Sequence, residues 1–370
     1  MKSCWCGNTQ FKPFGEGYGC CEDCNTLVYQ GDVTASDFLV KDEEIDLYGK
    51  QYWTNAKQEN EHNFDIYTRS QSDLSERNLH WLRTLLKFKS PPGKVMELGC
   101  GHGSFVSLLN QSGFDAFGIE MSPWVVEFGK KTFKVPVFLG PIENLQISPG
   151  SLDAIVLMDV LEHLPDPVET IAVCLKLLVP NGIILIQTPQ FREGTTYTSL
   201  KMAQSRFIEM LIPKEHLYLF SKNSIIQLFK TFDVNHAVFE PALFSEYDMY
   251  FAVSRTPLEE SWNLSKAALL SNPIGRTVLA LLEVYQRGLA FHEKLIESDA
   301  DRTARGQQID QLTKMLQESD ADRTARDLQI ERQRQNIGIF FSRRIIKLLL
   351  KYLKWPEVQN ILSWIKIDEE

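Results

Sequence analysis

Lys94-Val95-Met96-Glu97-Leu98-Gly99-Cys100-Gly101-His102-Gly103-Ser104-Phe105 is a short apolar run that opens into a glycine-rich turn. Lys94 to Leu98 reads as a buried strand, because Val95, Met96 and Leu98 are apolar and Pro91-Pro92-Gly93 breaks the chain before them. Gly99, Gly101 and Gly103 permit positive φ and let a ligand come close to the backbone. Ser104 then opens an apolar-periodic helix through Phe105, Val106, Leu108 and Leu109. Strand, glycine turn and helix make a ligand site, but dinucleotide and nucleoside folds share it. Asp115 to Ile119 reads as a second strand that ends at Glu120, about twenty residues past the turn, where a carboxylate can accept from both ribose hydroxyls. The turn lacks the G-x-G-x-x-G spacing that seats a pyrophosphate on a helix N-terminus, so a nucleoside is the better expectation.

These residues resemble the class I S-adenosylmethionine-dependent methyltransferases. Glu97 to Gly103 is similar to the family's first motif, Phe117-Gly118-Ile119-Glu120 to the acidic end of its second strand, and Leu152 to Pro167 to its strand-four motif. Pro180-Asn181-Gly182-Ile183-Ile184-Leu185-Ile186-Gln187-Thr188-Pro189 resembles its glycine-led fifth strand. The resemblance covers roughly Lys94 to Arg255 and implies a doubly wound, seven-stranded, mostly parallel Rossmann-like α/β sheet binding S-adenosyl-L-methionine. It implies that Gly99, Gly101 and His102 border the methionine part, that Glu120 holds the ribose and that Met121 packs on adenine, with Glu97 and Gly103 also among the cofactor-binding residues. Met158 and Asp159 would lie near the cofactor. Proline stands at 141 where the family often has an aspartate, so the backbone of Ile142 or the side chain of Glu143 would meet the adenine amine.

The chain has 370 residues and 44% hydrophobic content, enough for two or three units with a sizeable core. A formal charge of -9 argues against nonspecific nucleic-acid binding. No basic-then-apolar N-terminal run reads as a secretory signal, and no apolar span reaches the ~18 residues of a transmembrane helix, so a cytoplasmic protein is expected. Five of the seven cysteines fall in the first 24 residues, a metal site in a reducing compartment rather than a disulfide framework. Residues 1–40 therefore read as a zinc-ribbon-like knuckle in which Cys4, Cys6, Cys21 and Cys24 supply four soft ligands, with Cys20 as substitute. Gly7 and Asn25 tolerate the left-handed geometry of its turns. A reduced or redox-active thiol cluster is the alternative. Such ribbons resemble those preceding the core in sugar and polysaccharide methyltransferases, and a closed four-thiolate zinc would be structural.

Residues 41–90 read as a helical lid segment, in which Tyr48, Tyr52 and Trp53 line a pocket while Trp81, Leu82 and Leu85 pack a helix on the sheet. Residues 91–255 form the cofactor domain, with further strands at Pro136 to Leu139, Leu152 to Met158, Ile183 to Gln187, Val234 to Phe239 and Met249 to Ser254. Methyl transfer is a displacement at carbon that often needs a base for the acceptor's proton. His163 and His216 are the candidates, and Glu215 could orient a neighbour. Glu215-His216-Leu217-Tyr218-Leu219-Phe220-Ser221 resembles a segment that places a glutamate and a histidine over the acceptor in sugar methyltransferases. His163 could instead cap a turn, and His216 could be an ordinary insertion residue. The acceptor expected from the resemblance is a sugar or polysaccharide-linked group, with a quinone or other small hydroxylated molecule as alternative, and a non-catalytic scaffold as the reading from another class.

In residues 256–337 the α/β alternation stops. Glu297 to Arg305 recurs identically as Glu318 to Arg326, a period of 21 residues or three heptads. Leu295, Ile309, Leu316, Ile330 and Ile337 share one heptad position, interrupted by Arg302 and Arg323. This is a polar coiled coil suited to homo-oligomer formation, or else a solvated single helix. Residues 338–370 carry Arg343, Arg344, Lys347, Lys351 and Lys354 on one face of a basic amphipathic helix, suited to peripheral contact with an anionic membrane over 339–355 or to a partner's groove.

Overall fold

The computed structural model describes residues 3–54 and 65–340. The chain divides after Arg287 into two compact units. In the first, three short strands come first: β1 (Phe11–Gly15), β2 (Tyr18–Cys21) and β3 (Leu27–Tyr29). The central strands are β4 (Lys94–Leu98), β5 (Asp115–Glu120), β6 (Val137–Leu139), β7 (Leu152–Met158) and β8 (Leu178–Pro189), followed by β9 (Tyr218–Leu219), β10 (His236–Glu240) and β11 (Asp248–Ser254). Seven of them make one sheet in the order β10-β11-β8-β7-β4-β5-β6, in which only β11 runs against the others. Strand order reverses between β4 and β7, the topological switch point where such sheets bind ligands.

Period-two alternation divides the core. Met96, Leu98, Ile155, Leu157, Ile184 and Ile186 face the helices Pro167–Leu177 and Lys222–Lys230, while Val95, Ala154, Val156, Ile183 and Leu185 face Leu79–Phe88 and Ser104–Gln111. Trp81, Leu82 and Leu85 are buried in the second layer, and the Trp81 indole donates to Gln187 (3.0 Å), so the packing role expected for them holds.

One strand differs from its expected span. β8 begins at Leu178, not at Ile183, and runs through Pro180-Asn181-Gly182. Leu152 pairs with Leu178 and Ala154 with Ile183, so the extra residues form a bulge. A Cβ on Gly182 would sit 2.9 Å from Leu178, which is why glycine marks the close approach and not the strand's start.

β1, β2 and β3 form a second, antiparallel sheet that takes β9 as its fourth strand. Cys4, Cys21, Cys24 and Val28 belong to the same buried cluster as Met96 and Leu157, so the knuckle packs on the core of the large sheet.

The terminal helix spans Pro273–Phe340. Val278, Leu279 and Leu282 at its start are buried with the layer over β4. In the second unit every described side chain through residue 335 is exposed, Leu295, Ile309, Leu312, Leu316 and Ile330 among them. Arg302 meets Asp299 (3.5 Å) and Arg305 meets Asp301 (2.7 Å) along the same helix, exposed pairs of small value in isolation. The basic amphipathic stretch lies outside the described residues. Among the described residues no helix is long and apolar enough to cross a membrane.

Candidate active site

The carboxyl ends of β4, β5 and β7 open into a cavity of ≈ 790 Å³. That lies in the upper part of the range for small-molecule sites and leaves room for a cofactor with a second molecule. Gly99, Gly101 and Gly103 all take positive φ, at 69°, 50° and 80°. Their reasons differ. A Cβ at Gly99 would meet Val160 at 2.5 Å and one at Gly103 would meet Val135 at 2.9 Å, whereas at Gly101 it would only touch Trp53 at 3.7 Å. Gly99 and Gly101 line the cavity. Gly103 is not among the residues lining the cavity; it is the left-handed residue before the helix Ser104–Gln111, where a Cβ would meet Val135.

Glu120 lines the cavity at the end of β5. Its Oε1 accepts from the amides of Met121 and Ser122 (2.9 Å each) and its Oε2 from Gly101 (3.0 Å), which fixes the glycine turn against the strand end. Burial raises its pKa while these three amides pull it down. One lone-pair direction of Oε2 is left for a ribose hydroxyl. Met121, Ile142, Glu143, Met158 and Asp159 also line the cavity. Glu143 accepts from Thr170 (3.0 Å), so its carboxylate is already anchored, and Ile142 is buried beside it. Asp159 holds φ at 58° and accepts from Gln187 (3.0 Å), a backbone strain of the kind that collects at sites.

The sequence reading missed a wall of this cavity. The helix Ile66–Asp73 passes through a π turn, Leu74–Asn78, into Leu79–Phe88, and it sends Arg69, Asp73, Arg77 and Asn78 to the cavity. Asp73 ties the group together, 3.3 Å from Arg69, 3.8 Å from Arg77 and 3.2 Å from Nε2 of His102. Burial would raise its pKa, but His102 and the two guanidiniums outweigh that and lower it. His102 is driven toward the neutral form by burial, against the pull of Asp73. Arg69, Asp73 and Arg77 stand four residues apart, a spacing visible in the sequence but indistinguishable there from an ordinary salt-bridged helix face. Nε of Arg69, Nε of Arg77, Oδ1 of Asn78 and Oε2 of Glu97 are buried without a hydrogen-bond partner among the described residues. Buried polar atoms are ordinarily satisfied, so their convergence on one wall fits a ligand carrying both charges. Burial, then Asp73 and Glu120, push the Glu97 carboxyl well above its usual range.

The opposite wall carries the three expected catalytic residues, and all of them line the cavity. His163 and His216 stand with ring centroids 4.8 Å apart. Nδ1 of His163 lies 2.9 Å from the Glu215 carbonyl, and Nδ1 of His216 lies 2.7 Å from the Met210 carbonyl. A carbonyl only accepts, so in both rings Nδ1 carries a proton, which in the neutral ring makes Nε2 the basic nitrogen. Burial keeps His163 neutral by lowering its pKa, with Glu215 opposing. Tyr48 packs edge-on against His163 and Tyr52 (6.1 and 5.2 Å), and the Tyr52 hydroxyl reaches Glu215 at 3.4 Å. The pocket-lining role expected for Tyr48, Tyr52 and Trp53 is met, and Tyr48 holds a left-handed φ of 67°. Asp248, at the start of β11, also faces the cavity; burial and then Asp159 raise its pKa to about 8.

In the knuckle the sulfurs of Cys4, Cys6, Cys21 and Cys24 all lie within 4.8 Å of one another, with Cys4 to Cys24 at 3.5 Å and Cys6 to Cys21 at 3.6 Å. A tetrahedral zinc with 2.3 Å bonds sets its sulfurs about 3.8 Å apart. Gly7 and Asn25 adopt the expected positive φ, 88° and 58°. Cys20 stands outside the group, its sulfur 3.9 Å from the Cys21 carbonyl. Thr26 Oγ1, which accepts from the Trp5 indole, contacts the Cys24 sulfur at 3.2 Å, an outer contact that orients the thiol. The donor set fits zinc.

Residues 70–236 match the model of a methyltransferase domain, and the seven-stranded, mostly parallel sheet has the Rossmann-like fold of such a domain. Among curated proteins, the ubiquinone biosynthesis O-methyltransferase of Xanthomonas campestris pv. campestris is 28% identical over 130 residues, 34% of this chain and 54% of that protein. The protein of the same name from Xanthomonas axonopodis pv. citri is 28% identical over 155 residues, 39% of this chain and 64% of that one. The chain thus spans a little over half the length of the curated relatives it matches. A solved S-adenosylmethionine-dependent methyltransferase of Thermotoga maritima is 18% identical, with 52% of this chain and 96% of that chain covered and a TM-score of 0.38.

Proposed function

We propose that the protein transfers a methyl group from S-adenosyl-L-methionine to a hydroxylated cyclic acceptor, a sugar or polysaccharide-linked group. The observation that carries the cofactor reading is the set of buried polar atoms without hydrogen bonds beside the glycine turn, Nε of Arg69 and Arg77 and Oε2 of Glu97: Glu97 takes the ammonium of the amino-acid end, Arg69 and Arg77 its carboxylate, and Glu120 the ribose. His216 is the base that removes the acceptor's proton through Nε2, and neutral His163 packs beside it. Alignment of nucleophile, methyl and sulfur within one enclosed cavity supplies the rest of the rate. The knuckle holds structural zinc through Cys4, Cys6, Cys21 and Cys24. The sugar reading is supported by the meeting of that knuckle with the Glu215-His216 segment. A second reading, a quinol hydroxyl, is favoured by the named relatives and by the aromatic wall of Tyr48 and Tyr52. Incubation with methyl-labelled cofactor and nucleotide sugars or polyprenyl-linked glycans, against quinol precursors, separates them. Label in the glycan is expected; label in quinol alone overturns the sugar assignment. The exposed heptad stripe of the terminal helix pairs copies of the chain, and the basic stretch beyond it brings the enzyme to an anionic membrane surface.

A further inference from the structure

The N-terminal knuckle does more than cap the domain. β3 lies antiparallel to β9, Leu27 opposite Leu219 and Val28 opposite Tyr218, so the knuckle's sheet is completed by the two residues that follow Leu217 in the histidine segment. The Tyr29 amide donates to the Leu217 carbonyl (3.0 Å), and the Leu217 amide donates to the Glu162 carbonyl (2.7 Å) beside His163. The hydroxyl of Tyr18, a side chain only 3% exposed, donates to the carbonyl of His216 itself (2.8 Å). Tyr18 opens β2, which ends at Cys21, and β3 starts three residues after Cys24. The main chain of His216 is therefore clamped between the cysteine turns on one side and the end of the β7 segment on the other, while its ring is fixed by Met210.

We infer that the cysteine knuckle is an integral part of the acceptor half of the site, in which Tyr18 is a positioning residue that sets His216 through its carbonyl. The inference rests on the reading of His216 as the base. A buried hydroxyl-to-carbonyl bond restrains one peptide plane, and a misplacement of the base by a fraction of its reach is costly in a transfer that depends on alignment. Metal binding in the turns and base placement in the cavity become one mechanical unit, because β2 and β3 carry both.

The test uses full-length protein labelled with nitrogen-15 histidine, in three forms: wild type, Tyr18→Phe, and wild type stripped of metal with a chelator. His216→Gln identifies the His216 ring signal. The Tyr18→Phe change keeps the ring and removes only the hydroxyl bond. The expected result is a moved or broadened His216 signal, with amide exchange over 216–219 faster by roughly tenfold, as loss of one buried bond predicts. Metal removal is expected to give the same change, larger. S-adenosylhomocysteine affinity, read by calorimetry, stays within about twofold of wild type in Tyr18→Phe, since the cofactor wall hangs on other elements. An unchanged His216 signal in Tyr18→Phe overturns the inference, and so does a fall of S-adenosylhomocysteine affinity in step with it, which would make the knuckle a general support. Loss of binding in the wild type itself would instead strike the cofactor assignment.

Discussion

The two walls of the cavity are built on opposite plans. On the side of Arg69, Arg77 and Glu97, where Asp73 pairs with both guanidiniums, the two arginine Nε atoms and Oε2 of Glu97 are buried without a hydrogen bond, and Glu120 accepts from the Gly101 amide of the glycine turn. On the side of His163 and His216 both rings are anchored by carbonyls, and Tyr48, itself against Tyr52, packs on His163, so the rings are held before any ligand arrives. On the proposed reading the first wall takes the charged cofactor and the second presents His216 to the acceptor, so that affinity belongs to one half and turnover to the other.

Substitutions separate the halves. The largest effect is expected from His216→Ala, a loss of about 10²- to 10⁴-fold in labelled-methyl transfer with S-adenosylhomocysteine affinity intact, and His163→Ala should cost less. Equal loss in the two variants would divide the base between them. Next, Arg69→Ala and Glu97→Ala should each weaken S-adenosylhomocysteine binding by roughly 10- to 100-fold in calorimetry, the worth of a hydrogen bond to a charged group. Binding unaffected by either would show that the orphaned atoms await something else. Smaller still, Gly99→Ala forces a side chain into Val160 at a φ that favours glycine, and about 1–3 kcal/mol of stability should be lost in denaturant melts, whether or not cofactor is present. The mildest effect concerns Asp248. Its pKa in the folded protein, about 8, lies above the ordinary carboxylate value, so its contribution to stability is complete in acid and is lost as pH rises through about 8. Asp248→Asn should raise the melting temperature by a few degrees at pH 9, by less at pH 5, and hardly at all at pH 3, below the ordinary carboxylate pKa where both states are protonated.

The glycine turn was legible because its chemistry is local: a strand, three glycines and an acidic strand end sit within thirty residues, and β4 and the helix from Ser104 begin where the residues said they would. The cysteine pairs were legible for the same reason. Arg69, Asp73, Arg77 and Asn78 were not, since a salt-bridged helix face and a ligand-binding face share one spacing, and only the packing of Leu79–Phe88 on the sheet decides which way the face turns. Nor could Tyr18 be connected with His216, a contact made 198 positions apart by strand pairing alone. Pro180 to Gly182 misled in the other direction, because a breaker within a strand is a bulge when the neighbouring strand supplies register on both sides of it.

The π turn at Leu74–Asn78 has a consequence of its own. An ordinary helix advances about 100° per residue, so groups four apart drift steadily around its barrel. One widened coil resets that drift between Asp73 and the anchored stretch that follows. Regularising the coil to α geometry with all its residues kept would swing Arg69 and Asp73 by on the order of 100° relative to Leu79–Phe88. The guanidinium and its carboxylate partner would then leave the cavity wall with no side chain replaced.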